Sequence, residues 1–401
     1  MRLLFNATNI RSEGGVVLMR HLLEGFLAYT PEMQILLYLN PELTGRLAGF
    51  VTEHPRIELV SFRPRGSWGR FRWEQVTLPG IIRKEKVDIL FSFGNTGPVF
   101  PGCRQILYLQ QSIPFTDYVP DRHRLQWWVF QRLYGFLIGL AQLGSCRVVV
   151  PTTWLVDPLR RSVLFLKRKA AYRVTLPGIP ELSPLPPGGT LSANEIELLE
   201  RMEAWRASDE RILLYPCYLA PYKNIPWLLE AISHLGAAEP PPFRLLLTFN
   251  RESGEYFPCK KAIFKALDRL NSDWPDSDRV VLAGSLSRYA MAEVYRRADI
   301  LVFPSLVETL GLPLLEAMSH GIPVVAVQSE KQSPTQAAFA REICADAAFY
   351  AEPGDPAAFA TQIEKLLADP MLAFETGQKG LSRISEISWA AHVRAILADL
   401  P

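Results

Sequence analysis

The 401-residue sequence has few cysteines and no pair of them spaced for a zinc-binding loop. Its five cysteines are scattered and odd in number, which argues against a disulfide framework and favours free thiols in a reducing compartment. Six histidines are dispersed without ligand spacing. We therefore expect neither a resident metal nor a cofactor.

Long apolar runs are also missing. The N-terminal run at residues 2–6 is too short for a signal peptide. Arg132 interrupts the apolar stretch at 127–143 before it reaches the roughly 20 residues that a transmembrane helix needs. The expected location is the cytoplasm, and peripheral attachment to the inner face of the cell membrane stays open.

Strand and helix signals alternate along both halves of the chain, with amphipathic helices expected over 15–29 and 122–143. The predicted strands are 2–7, 34–39, 57–61, 87–92, 105–109 and 147–150, then 211–215, 243–248, 280–283, 299–303 and 323–327. This alternation predicts an α/β fold with a doubly wound, mostly parallel sheet in each half. The length also exceeds that of a usual single core, so two Rossmann-like domains are expected.

The densest cluster of proline and glycine lies at 176–189. Such a segment cannot continue a helix or a central strand, so we place the domain boundary after Gly178, giving domains 1–178 and 179–401. An arrangement in which the last helix packs back on the N-terminal domain stays open.

Charge is divided unevenly between these domains. Residues 1–178 contain 23 Lys and Arg against 12 Asp and Glu, a net charge of +11, whereas residues 179–401 contain 20 against 29, a net charge of −9. Tryptophan and phenylalanine interleave with arginine around 63–73 and 122–136. Three explanations remain: a membrane-binding surface, a nucleic-acid surface, which is the least favoured, or a core-packed helix flanked by solvated arginines.

Two carboxylates, Glu308 and Glu316, are separated by seven residues between two predicted strands. Pro313 suits the start of a helix between them, so Gly311 and Leu312 could offer free amides to a phosphate. The carboxylates would repel that phosphate but could accept hydrogen bonds from sugar hydroxyls. Taken singly, each carboxylate is more typical of an ordinary solvated side chain.

The whole run, FPSLVETLGLPLLEAMSHGIPVVA, resembles the Glu-x7-Glu signature of the retaining GT-B glycosyltransferases of family 4. Residues 211–232 resemble the strand, lysine loop and helix that open the C-terminal domain of that family, and residues 12–15 resemble its N-terminal glycine loop. The resemblance implies two Rossmann-like doubly wound domains facing across a cleft. It assigns the acceptor to 1–178 and the nucleotide sugar to 179–401.

Lys223 matches the lysine that contacts the donor diphosphate in the resembling family. The match has a gap, because family members often carry Gly-Arg where this chain has Cys217 and Tyr218. A tyrosine can donate only a neutral hydrogen bond to phosphate. Arg251, after the next predicted strand, is a candidate to supply the missing charge.

Further donor-binding residues are expected in loops at strand ends. Gly14 and Gly15 could let backbone amides approach phosphate or an acceptor, and they do not form the Gly-x-Gly-x-x-Gly fingerprint of dinucleotide enzymes. Gln111 lies near the place of a frequent family histidine, and glutamine cannot act as a general base near neutral pH. Gly284 is expected near the nucleotide base.

The Glu308 loop supplies the remaining donor-binding candidates, Thr309 and Leu310, beside Gly311 and Leu312. Asp276-Ser277-Asp278 offers the Asp-x-Asp pattern of metal-dependent transferases. We interpret it as a solvated turn, because it precedes a strand instead of following one.

The resemblance implies a retaining, metal-independent hexosyltransferase acting in polysaccharide or glycolipid biosynthesis. Its donor would be a UDP- or GDP-linked sugar, and its acceptor a glycan or a lipid-linked glycan. We assign the catalytic roles to Glu308 and Lys223, with Glu308 holding sugar hydroxyls and Glu316 the ribose. Two alternatives stay open: a catalytically weak binding subunit that activates a partner glycosyltransferase, and a nucleotide-sugar isomerase.

Overall fold

The computed structural model describes residues 1–10, 13–116, 118, 124–162, 170–179, 189–235, 243–252, 260–272, 279–329 and 338–399. The chain forms two compact units. The first comprises residues 1–115, 125–180 and 387–401, and the second comprises 116–124 and 181–386. Of the helices in the described ranges, none combines the length and the apolar character needed to cross a bilayer.

The first unit is an open α/β sheet with helical connections. Its elements are β1 (Arg2–Ala7), α1 (Glu13–Tyr29), β2 (Gln34–Leu39), α2 (Pro41–Glu53), β3 (Ile57–Ser61), α3 (Gly66–Arg72), a π-helical turn (Trp73–Thr77), α4 (Leu78–Lys84), β4 (Ile89–Phe93), β5 (Arg104–Tyr108), α5 (Arg124–Leu143), β6 (Arg147–Val150), α6 (Val156–Arg161), β7 (Ala171–Val174) and the C-terminal α15 (Trp389–Leu397). The strand order is β3-β2-β1-β4-β5-β6-β7, and all pairings are parallel.

Helix α15 belongs to the first unit and packs against α1. Gly25 of α1 lies directly beneath Val393, since a Cβ added there would come within 2.5 Å of the valine side chain. His392 is fully buried, 3.1 Å from the Tyr108 hydroxyl and 3.1 Å from the Thr175 hydroxyl. Burial lowers the pKa of His392 to about 3, so the imidazole is neutral and completes the core of this unit.

The second unit is a separate parallel sheet. Its elements are α7 (Ala193–Ala207), β8 (Arg211–Tyr215), α8 (Ile225–Ser233), β9 (Phe243–Leu247), α9 (Lys260–Ser272), β10 (Val280–Leu282), α10 (Arg288–Arg297), β11 (Ile300–Phe303), α11 (Leu312–Ser319), β12 (Val324–Val327), α12 (Ala340–Cys344), β13 (Ala348–Ala351), α13 (Pro356–Ala368) and α14 (Pro370–Ser385). The strand order is β10-β9-β8-β11-β12-β13, again all parallel.

Each sheet reverses its direction of winding at one point. In the first sheet the reversal lies between β1 and β4, and in the second it lies between β8 and β11. Chain connections leave adjacent strands in opposite directions at such a point, which opens a crevice beyond the carboxyl ends of the strands. The two crevices are therefore the places in which to look for ligand-binding side chains.

Candidate functional site

The loops after β8 and β11 meet at the crevice of the second sheet. These strands are adjacent and in register, with Ile300 opposite Leu213 and Leu301 opposite Leu214. β11 is fully buried, and β8 is buried from Ile212 to Tyr215, as expected for central parallel strands. Their carboxyl ends bring the lysine loop and the glutamate loop side by side, although the two are far apart in sequence.

Lys223 and Glu308 form the central ion pair of these loops. The Lys223 ammonium donates a hydrogen bond to Glu308 Oε1 at 2.5 Å, and only 5% of Lys223 is exposed. Burial by itself would lower the pKa of Lys223, but the charge of Glu308 and the hydrogen bond to it outweigh burial, and the pKa is raised. Lys223 is therefore a fixed cation at neutral pH.

Tyr215, the last residue of β8, holds the two loops in register. Its buried hydroxyl donates to the Lys223 carbonyl at 2.9 Å and lies 2.7 Å from the Ser305 hydroxyl. A backbone hydrogen bond of 2.8 Å from Leu306 to Tyr222 adds a second link. These hydrogen bonds link the two loops that carry the ion pair.

The glutamate loop ends at Gly311, which begins α11. Gly311 has φ 63° and ψ 51°, a left-handed conformation that favours glycine. A Cβ at this position would also approach Leu314 Cδ1 to 3.1 Å. Amides in the first turn have no partner within a helix. The structure thus places the amides of Gly311 and Leu312 at the N-terminus of α11, beside Thr309 and Leu310.

Glu316 lies in the second turn of α11, and a buried tyrosine orients it. The Tyr295 hydroxyl of α10 donates to Glu316 Oε2 at 2.8 Å. Burial raises the pKa of Glu316, while the Tyr295 hydrogen bond and the charge of Arg288 oppose that shift. The helix dipole stabilises glutamates in the first turn of a helix. Glu316 differs from such a residue in its second-turn position and in its hydrogen bond to Tyr295.

Tyr218 and Arg251 have different positions relative to the lysine. The exposed Tyr218 ring lies 5.2 Å from the Lys223 ammonium, and its hydroxyl is hydrogen-bonded to that of Tyr222. Arg251 is exposed, pairs with Asp268 of α9, and lies over the Phe264 ring at 5.1 Å. The aromatic ring therefore borders the ammonium, whereas the arginine is engaged with α9.

Gly284 follows β10 at the edge of the same sheet. It has φ 72°, and its amide donates to the Phe249 carbonyl at 3.2 Å. Nothing lies within 4 Å of the position that its Cβ would occupy. The glycine therefore leaves open space at the carboxyl end of β10, one strand beyond β9.

Residues 210–369 match the family model described as Glycosyl transferases group 1. We call this matched part of the chain, residues 210–369, the group 1 domain. It contains Tyr218, Lys223, Gly284, Glu308 and Glu316, the residues just described. The group 1 domain thus encloses the whole crevice between β8 and β11.

Among relatives, a probable sucrose-phosphate synthase of Beta vulgaris is 25% identical over 185 residues, which cover 45% of this chain and 17% of the relative. Among solved structures, a sucrose-phosphate synthase from Thermosynechococcus elongatus has a TM-score of 0.67 at 17% identity and covers 98% of this chain and 96% of its own. The Anabaena protein HepE, solved with UDP and glucose, has a TM-score of 0.67 at 15% identity, with 100% and 98% covered. The shared fold comprises two parallel-sheet, Rossmann-like α/β domains.

Two of the expected site residues, Gly14 and Gly15, lie outside the group 1 domain and follow β1, at the crevice of the first sheet. Gly14 and Gly15 were expected in a loop, but α1 begins at Glu13, so both lie in its first turn. Neither has a positive φ, because their place in the helix does not require one. Ser12 and the Asp276-Ser277-Asp278 pattern lie outside the described residues.

Asn95 is a first-unit residue that sequence reasoning missed. It follows β4 with φ 73°, and its side-chain oxygen accepts from the amides of Gln110 and Gln111 at 2.6 and 2.8 Å. The backbone at Gln111 is thereby fixed at the end of β5. The sequence signal for this role of Asn95 is an asparagine that follows an apolar strand. That pattern is equally typical of an ordinary turn.

Within the described ranges, no group of three or more His, Cys, Asp or Glu side chains is arranged to hold a metal ion. The buried thiol of Cys217 lies in the lysine loop, and burial raises its pKa to about 12. It is therefore a neutral thiol, unsuited to act as a thiolate ligand or nucleophile at neutral pH. In the group 1 domain, the fixed positive charge beside Glu308 comes from Lys223.

Glu316→Gln is expected to stabilise the protein while weakening nucleotide binding. The folded-state pKa of Glu316 is raised, so ionisation at neutral pH costs stability, and this cost disappears below the ordinary carboxyl pKa. Glutamine keeps an acceptor for Tyr295 but loses the charge. Thermal melts should show a higher midpoint for the variant at neutral pH and no gain in acid, and nucleotide affinity should fall by about tenfold. Unchanged affinity would remove Glu316 from the ribose site.

Proposed function

We propose that this protein is a retaining glycosyltransferase that moves a hexose from a nucleotide-diphosphate sugar to a glycan or a lipid-linked glycan. The observation that carries the proposal is the buried Lys223–Glu308 pair at the crevice between β8 and β11 of the group 1 domain. A cation and a helix N-terminus at one crevice match the diphosphate of such a donor, and a carboxylate matches its sugar hydroxyls.

Lys223 would stabilise the leaving group. As the bond between the anomeric carbon and the phosphate oxygen breaks, negative charge grows on the diphosphate, and a cation fixed beforehand lowers the barrier. The amides of Gly311 and Leu312 would bind the same group. Because these donors supply the positive charge, we propose that the reaction needs no divalent metal.

Glu308 would hold sugar hydroxyls and Glu316 the ribose, so neither is a general base. The acceptor oxygen would attack the anomeric carbon on the face from which the phosphate leaves. Its proton would pass to the departing phosphate oxygen, which balances the charge on the leaving group. Gln111 stays a proposed donor-binding residue without a proton-transfer role.

We propose the nucleobase of the donor and the acceptor molecule as chemical classes. The Anabaena protein was solved with UDP and glucose, which makes UDP-glucose the first donor to test, followed by GDP- and ADP-sugars. The chain spans less than a fifth of the first curated relative, so that relative's product is not transferred to it. The group 1 domain supports transfer over the alternative of a weak binding subunit.

A two-step experiment tests the proposal. A thermal-shift panel of nucleotides and nucleotide sugars identifies the donor, because a ligand that binds only the native state raises the unfolding midpoint. The purified protein is then incubated with that donor in EDTA, and nucleotide and sugar are quantified. Slow release of both indicates a transferase, a changed sugar still attached to nucleotide indicates an isomerase, and an unaltered donor indicates a binding subunit.

A further inference from the structure

Helix α5 in the first unit buries mostly small and polar residues. Its buried positions within 125–143 are Gln131, Gly135, Ile138, Gly139, Ala141 and Gln142. Gln131 donates to the Ile113 carbonyl at 3.2 Å. A helix on a soluble domain normally turns its apolar stripe inward and its polar side outward. Ile138 and Ala141 pack in the core, but core packing does not account for the exposed large apolar side chains of α5.

The outward face carries most of the large apolar side chains of the helix. Six of them are between 42% and 73% exposed: Leu125, Trp128, Val129, Phe130, Leu133 and Phe136. We call these six residues the α5 face. Exposed apolar residues are normal when scattered, but a contiguous set along one helix marks an interaction surface.

Basic and aromatic residues accompany the α5 face. The Arg132 guanidinium lies 5.6 Å from the centre of the Trp128 ring. Tyr134 of α5 is one of the groups that raise the pKa of Arg70 on α3. On α3, Trp68 and Phe71 are also exposed large side chains.

We propose that the α5 face docks on a membrane surface that contains anionic lipid. Apolar and aromatic side chains on an interfacial helix enter the boundary between headgroups and acyl chains, while arginines meet anionic headgroups. The net charge of +11 on residues 1–178 complements such a surface. This proposal does not depend on glycosyl transfer.

Charge and composition disfavour two other occupants. A symmetric dimer through the α5 face would place one basic domain against another, which like charges oppose. A single-stranded nucleic acid binds through stacking on flat rings, and Leu125, Val129 and Leu133 offer none. A lipid surface accepts aliphatic and aromatic side chains alike.

The test is sedimentation of the full chain with vesicles of phosphatidylcholine, with and without phosphatidylglycerol. The test variant is Leu133→Asp/Phe136→Asp. Phe374→Asp is the matched control, because Phe374 of α14 in the second unit is 61% exposed, close to 58% for Phe136. All proteins are first compared by thermal melt, and equal midpoints show that the exposed substitutions leave the fold intact.

We expect wild type and Phe374→Asp to sediment with anionic vesicles but weakly with neutral ones. The double variant should partition at least about tenfold less, because two anchoring side chains are lost and two negative charges are added. Three results would overturn the proposal: no vesicle binding by wild type, equal binding by the double variant, or a wild-type dimer that the double variant converts to monomer.

Discussion

Lys223→Met is expected to lower kcat/KM for the nucleotide sugar by about 100- to 1000-fold, the usual loss when one fixed donor to developing charge is removed. Methionine keeps much of the length and the apolar stem of lysine but supplies no charge. The measurement is steady-state release of nucleotide. Lys365→Met, at an exposed position on α13, is the matched control and should match wild type.

The same substitution should also destabilise the second unit. Glu308 would remain largely buried without its partner, and breaking a buried pair from one side costs about 3 to 5 kcal/mol. The double variant Lys223→Met/Glu308→Gln removes both charges and should recover most of that stability without recovering turnover. A double variant with restored turnover would show that Lys223 matters only for folding.

Glu308→Gln is expected to lower turnover at least about tenfold by weakening the hold on sugar hydroxyls. Binding of the nucleoside diphosphate alone should be unchanged or tighter, since Lys223 no longer has a carboxylate competing for it. Titration calorimetry with the nucleotide and with its sugar conjugate separates the two effects. Equal losses for both ligands would mean that Glu308 acts only by positioning Lys223.

The pH profile of Glu308→Gln gives an independent check. In wild type, Glu308 outweighs burial and raises the pKa of Lys223. Without that charge, the largest opposition to burial is lost and the lysine pKa falls. The variant should therefore lose its residual activity at a lower pH than wild type as pH is increased, and coincident alkaline limbs would contradict this account of the pair.

Apolar runs located the central strands because strands buried on both faces of a parallel sheet require them. The predicted strand at 211–215 coincides with β8, and the strand at 147–150 coincides with β6. The edge strands β7 and β13 were not predicted. Arg173 in β7 and partly exposed Tyr350 in β13 break the apolar pattern, because an edge strand has fewer neighbours to bury it.

The ion pair could be anticipated only in part. The sequence indicated that Lys223 and Glu308 each follow a strand, but their contact depends on β8 and β11 being neighbours. The hydroxyls of Tyr215 and Tyr295 were not predicted as parts of the site. Tyr215 ends an apolar strand, and Tyr295 lies in α10 between Val294 and Arg296. Only the fold reveals the partner of each hydroxyl.

Helix α1 starts at Glu13, two residues before the predicted start at Gly15. Two consecutive glycines favour a turn over a helix, yet Gly14 and Gly15 lie in the first turn of α1. Local propensity predicts the start of a helix poorly when packing of the rest of the helix supplies most of its stability. Residues Leu22 and Phe26 of α1 are fully buried in the core of the first unit.

Proton NMR of the anomeric signal, recorded as the preferred nucleotide sugar reacts with wild type and Lys223→Met in EDTA, tests the central claim most directly. We predict that wild type releases sugar in the anomeric configuration of the donor, observed before mutarotation equilibrates it, and that the variant is at least about 100-fold slower. Equal rates for both proteins, an inverted anomer, or a donor left intact by wild type would contradict the assignment.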